Sequence, residues 1–104
     1  MSKTKFTPGP WKIVEDRVPS SLEVYGGTIA ICECWRRANA ETEMANAHLI
    51  AAAPDMFEEL KSAAEIFAFY AAHHLAKGDK VKYETNISHA ERISKILVKA
   101  RGEG

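Results

Sequence analysis

Met56, Leu60, Ala63, Phe67, Tyr70 and His74 recur at spacings of 4, 3, 4, 3 and 4, which keeps one line of side chains on one side of an α-helix. Phe57, Ala64, Ala68, Ala71 and Leu75 form a second stripe, and Ile66 and Phe69 fall between the two. From Ala63 to Ala72 the helix is therefore apolar nearly all round. Such a helix withdraws from water on every side, and one small sheet with two flanking helices barely encloses it. The expectation is core plus an interface between copies, carried by Leu60, Ala63, Ile66, Phe67, Phe69 and Tyr70, in a dimer or higher symmetric oligomer.

The other elements arrange themselves around this helix. Thr7-Pro8-Gly9-Pro10 is extended or turned, because each proline fixes its own φ and restricts its predecessor. Trp11 to Val14 is a short strand and Val18-Pro19-Ser20-Ser21 a loop. Leu22 to Tyr25 and Thr28 to Trp35 flank Gly26-Gly27, a dipeptide suited to a two-residue hairpin turn. Pairing Tyr25 with Thr28 places Leu22, Val24, Ile29 and Ile31 on one face, and Cys32 and Cys34 on the other. Asn39 is placed to cap a first helix, which runs to about Ala53, where Pro54 stops it. Asp55 caps the second, with Glu58 three residues on, and that helix continues to Lys77 before Gly78. A third runs from Asp79 or Lys80 to Arg101, with Tyr83, Ile87, Ala90, Ile93, Ile96, Leu97 and Ala100 inside. The expected fold is α+β: a three-stranded antiparallel sheet (about residues 7–35) followed by three helices (about 39–101), the last two an antiparallel hairpin.

A chain of 104 residues is read as a single domain. Fourteen Lys and Arg balance fourteen Asp and Glu, which argues against functions that need a one-signed field, such as nucleic-acid coats or membrane-surface proteins. The opening MSKTKFTPGP lacks the apolar run of a signal peptide. The stretch from Ala63 to Leu75 is too short to span a bilayer. Two cysteines so close together do not staple a domain, so the expectation is a cytosolic protein with reduced thiols.

Residues with chemistry are few. Cys32-x-Cys34 lacks the further ligands a zinc site needs, and on a strand the pair sits about 6.6 Å apart by strand rise, at the limit for a disulfide. His48 faces apolar neighbours on the first helix and reads as a core histidine. His73 and His74 point about 100° apart, by helix geometry, and His89 lies level with Ala68 in the hairpin. No metal site, cofactor or catalytic residue is expected. Glu58-Glu59 and Glu41-x-Glu43 lie in first turns, where the helix dipole accounts for them. Trp35-Arg36-Arg37 is the best candidate for ligand contact, since an aromatic plane beside two guanidinium groups suits a nucleotide-like molecule. Arg92, Lys95 and Lys99 add positive charge on the third helix. Glu84 and Glu91 interrupt that stripe, so no stable binding of duplex DNA at physiological salt is expected.

Two stretches carry a resemblance. Thr7-Pro8-Gly9-Pro10-Trp11 resembles the opening of a group of small phage and prophage proteins. The segment from Glu43 to Lys61, EMANAHLIAAAPDMFEELK, is similar to their shared helix-turn-helix, commonly ANAxLIAAAPDLLEAL-like, with Met56-Phe57 where two leucines are usual. The matches frame about residues 7 to 61, and the group brings no catalytic residues with it. The resemblance implies a phage or prophage accessory gene acting in the bacterial host cytoplasm, on host or defence machinery. Three functions follow as expectations. The first is a non-catalytic protein that binds a bacterial or phage protein through an oligomeric helical surface. The second is an oligomeric anti-defence binder that sequesters a nucleotide-like signalling ligand. The third is a small enzyme of unrecognised type.

Overall fold

The structure, a computed structural model, describes residues 5–15, 21–35 and 40–103, without the side chains of Ser21, Trp35 and Ala40. The expected loop at Val18-Pro19-Ser20, the Asn39 cap, Arg36 and Arg37 lie outside the described residues, as does the side chain of Trp35. Three strands, β1 (Trp11–Glu15), β2 (Ser21–Gly26) and β3 (Ile29–Trp35), precede three helices, α1 (Ala40–Ala51), α2 (Ala53–Ala76) and α3 (Lys80–Ala100). The sheet is antiparallel in the order β1-β2-β3, so the α+β architecture is the expected one. The chain forms two compact units, Lys5–Met56 and Phe57–Gly104.

In the first unit α1 lies across all three strands. Leu22 and Val24 are fully buried beneath it, Ala47 of α1 and Cys34 complete this core, and Trp11, Ile13, Ile31, Cys32, Met44, Ile50 and Ala51 pack around them. Removing a Leu or Val side chain from water contributes roughly 1.5–3 kcal/mol each. His48, expected in this core, is exposed and Ala47 is buried in its place. Only a side chain without polar atoms to satisfy sits against the sheet without cost.

The expected hairpin register is wrong in two respects. The turn is Gly27-Thr28 rather than Gly26-Gly27, because Gly26 pairs with Ile29, and Gly27 supplies the positive φ (63°) at the first turn position. A bulge then shifts the register between Val24 and Tyr25, so that Val24 faces Cys32 and Leu22 faces Cys34. Both cysteines therefore share the α1-facing side of the sheet, and Ile29 is left exposed at the hairpin end. The physical reason lies with Glu33. Continued without a bulge, the Gly26–Ile29 pairing would set Leu22 opposite Glu33 and carry a carboxylate into the core. One extra residue in β3 delivers Cys34 instead. Glu33 then stands exposed opposite Glu23, a like-charge pair that opposes the pairing.

Gly26 serves a different purpose from Gly27. It is buried, and a Cβ there would stand 2.8 Å from Thr7 Cγ2 and 3.0 Å from Trp11 Cδ1. Trp11 is held in place by its indole Nε1, which donates to the Thr7 carbonyl at 2.9 Å, and by the edge of Phe6. Gly9 in turn lies on the Pro54 ring, where an added Cβ would approach to 3.1 Å. The Thr7–Trp11 segment thus packs on Pro54 at the start of α2.

Pro54 does not stop a helix, as expected, but sits in the first turn of α2, with Asp55 beside it as a first-turn acid rather than a cap. A proline is tolerated there because first-turn N–H groups have no intrahelical partner. The Met56 N–H already donates to Ala52 at 2.9 Å, so the connection from α1 is a single turn.

In the second unit α2 and α3 form the expected hairpin. Gly78 (φ 77°) ends α2, the Gly78 and Asp79 N–H groups return to the Leu75 and His74 carbonyls, and Asp79 Oδ1 caps α3 by accepting from the Lys82 N–H at 3.1 Å. Phe57, Ala71, Ala90 and Leu97 are its buried side chains among the described residues. Ile96, expected inside, is exposed.

Replacing Gly26 with Ala is expected to destabilise the protein by about 1–3 kcal/mol through overpacking, measured by urea denaturation; an unchanged midpoint would contradict the packing of Trp11 and Thr7 on this residue. Glu33→Lys is expected to stabilise by up to about 1 kcal/mol by turning the Glu23–Glu33 pair into an attractive one. A loss of stability in the same measurement would contradict the bulged register.

Candidate functional site

The inward line of α2 runs between its two apolar stripes rather than along either. Ala71 is at its centre, with Phe57 buried and Leu60, Ala63, Ala64, Phe67 and His74 half-buried. Phe67 meets His89 of α3 with ring centroids 5.0 Å apart and planes inclined by 33°, one residue from the expected level. Arg92 donates to His89 Nδ1, so Phe67, His89 and Arg92 form one contact chain across the hairpin.

The opposite side of α2 remains uncovered. Phe69, Ile66 and Tyr70 are 69%, 54% and 48% exposed. The Phe69 and Tyr70 rings meet edge to face at 5.7 Å, and with Ser62, Glu65 and Ile66 they border a shallow depression of about 460 Å³. A helix apolar nearly all round has here buried one side only. Of the six residues expected at an interface, Leu60, Ala63 and Phe67 turn towards the hairpin side, whereas Ile66, Phe69 and Tyr70 are brought together on the outside.

Of the expected ligand residues, the structure describes the side chains of Arg92, Lys95 and Lys99. Trp35 is the last residue of β3, and its side chain, like Arg36 and Arg37, lies outside what the structure describes. Arg92 is engaged by His89, and Lys95 and Lys99 are exposed beside it along the outer side of α3. Elsewhere on that helix Lys82 approaches Asp79 and Arg101 pairs with Glu103 at 2.9 Å. Among the described residues no three His, Cys, Asp or Glu side chains come together as a metal site. His73 and His74 touch only edge to face, with centroids 5.2 Å apart.

Two features escaped the sequence reading. The first is a groove of about 730 Å³ on the first unit, where the Thr7–Pro10 turn meets Lys12, Val14, Tyr25 and the hairpin end from Gly26 to Ile29. The second is the shared environment of the thiols. Cys32 and Cys34 are free, yet burial, and then the neighbouring Cys34 as charge and as hydrogen-bond partner, push the Cys32 thiol above its ordinary pKa. A bulge that reverses side-chain parity leaves little mark in a sequence, apart from the acid at position 33 that it keeps out of the core.

The protein is thus a small α+β chain whose most distinctive surface is an exposed aromatic patch on a helical hairpin. It belongs to the phage family described as Salmonella phage P22 protein Y8K6, whose model matches residues 1–104. No curated protein and no solved structure matches it significantly. Among the described residues no helix is long and apolar enough to cross a membrane.

The thiols generate a test. Because the thiolate is the reactive species, alkylation of the native protein by iodoacetamide at neutral pH is expected to be slower than in the unfolded chain. A folded-state pKa raised above the unfolded one stabilises fully below the unfolded value, and that stability is lost as pH climbs towards the folded pKa. The loss therefore begins above about pH 8.5. Equal labelling rates in native and unfolded protein would contradict the buried arrangement.

Proposed function

We propose that this phage-family protein is a non-catalytic accessory protein of the bacterial host cytoplasm. It self-associates through the outer face of α2 and binds a bacterial or phage protein through the oligomeric helical surface that results. The observation that supports this is the exposure of Ile66, Phe69 and Tyr70 as one contiguous group. Covering large apolar side chains is worth roughly 1.5–3 kcal/mol each, and aromatic residues clustered within a polar rim are the usual anchors of protein association. Here Ser62 and Glu65 supply part of that rim. The face offers no continuous positive stripe for phosphates, so duplex DNA is not among the partners proposed.

Phe69→Asp places a charge at the most exposed member of the group without touching the buried line through Ala71. Tagged wild type and variant would be used to recover proteins from lysates of infected and uninfected bacteria, with mass spectrometry of what each retains. Retention of specific proteins is expected to fall at least tenfold in the variant, the scale of losing one anchor of about 2 kcal/mol. Equal recovery by the two proteins would remove the α2 surface from the proposal.

A further inference from the structure

We infer that the outer face of α2 is covered by the same face of a second copy of this chain, running antiparallel about a twofold axis level with residue 68. The inference rests on reading that face as an association surface, and names its occupant. Ser62, Ile66, Phe69 and His73 are all exposed and follow one another at spacings of 4, 3 and 4, so they form a straight stripe along the helix. The charges are sorted along that stripe. Glu58, Glu59 and Glu65 all precede Ile66, whereas Lys77 follows His73, and all four charged residues are exposed. Lys77 still continues the helical path, since its N–H donates to the His73 carbonyl at 3.2 Å.

Two such faces fit each other in one direction only. Run parallel, Glu59 and Glu65 would each meet their own copies. Run antiparallel, the acidic end of one helix lies on the cationic end of the other. Glu59, Ile66, Tyr70 and Lys77 share one edge of the stripe, and a twofold axis keeps each edge against itself. Glu59 then meets the partner's Lys77, Ile66 meets the partner's Tyr70, Ser62 lies level with the partner's His73, and Phe69 stacks beside the axis on the partner's Phe69. Apolar residues fall at the centre and complementary charges at both ends, which is the self-complementary pattern a twofold contact requires.

Sedimentation of the full chain over a concentration series, with charge reversal and its repair, tests this pairing. Wild type is expected to be dimeric at about 100 µM, a concentration at which micromolar affinities saturate. Glu59→Lys and Lys77→Glu should each weaken self-association about tenfold, because each turns two symmetric attractions into repulsions. The double variant should restore it to near wild type. Under mild oxidation with oxidised glutathione, Phe69→Cys is expected to cross-link to its own copy and Lys77→Cys is not. A wild-type monomer at that concentration, single reversals without effect, a double variant that stays weak, or cross-linking through position 77 would each overturn the inference. A monomer that still loses its retained proteins on Phe69→Asp would overturn the dimer and leave the association surface standing. A dimer insensitive to that substitution, with unchanged retention, would remove both.

Discussion

The first unit depends on the packing of α1 over Leu22 and Val24, the two large side chains fully withdrawn from water. A three-stranded sheet of this size has little else to bury, and each of its adjustments serves that contact. The bulge opposite Val24 brings Cys34 rather than Glu33 beneath α1. Gly26 lets Trp11 and Thr7 close over the hairpin end. Pro54, accepted in a first turn, fixes where α1 hands over to α2 and provides the surface on which Gly9 rests. The two stretches that resemble small phage proteins meet at Gly9 and Pro54.

The second unit follows a different economy. Its hairpin is closed at the turn by Gly78 and the Asp79 cap, and Phe57, Ala71, Ala90 and Leu97 are the side chains it buries. The contact leaves Ile66, Phe69 and Tyr70 of α2 on the far side. That distribution is what associates the protein with binding rather than chemistry in our reading. The aromatic residues stand where they stabilise the isolated chain least and would stabilise a complex most.

The element types were legible in the sequence because they rest on local rules: helical periodicity from Met56 to Leu75, glycines at Gly78 and Gly102, a capping Asp79, and a glycine-bearing turn between two apolar runs. The site was legible only in part. The all-round apolarity of α2 points to Ile66, Phe69 and Tyr70, but it gives no means of separating them from Leu60, Ala63 and Phe67, which turn towards the hairpin side. The two stripes, the second of which contains Ala71, read equally well as seams until α3 chooses the line between them. The Trp35-Arg36-Arg37 cluster remains a sequence pattern without a described site.

What the sequence by itself determined is the order and kind of the elements, for each is set by residues within a few positions of one another. What only the tertiary structure decided is parity and direction. A single inserted residue in β3 moves both cysteines onto the α1 side, because strand side chains alternate with a period of two. Likewise, which side of an apolar helix stays exposed depends on where its neighbour lands, since a period of 3.6 offers several equivalent faces. Here the neighbour took the face of Ala71 and left Phe69 to water.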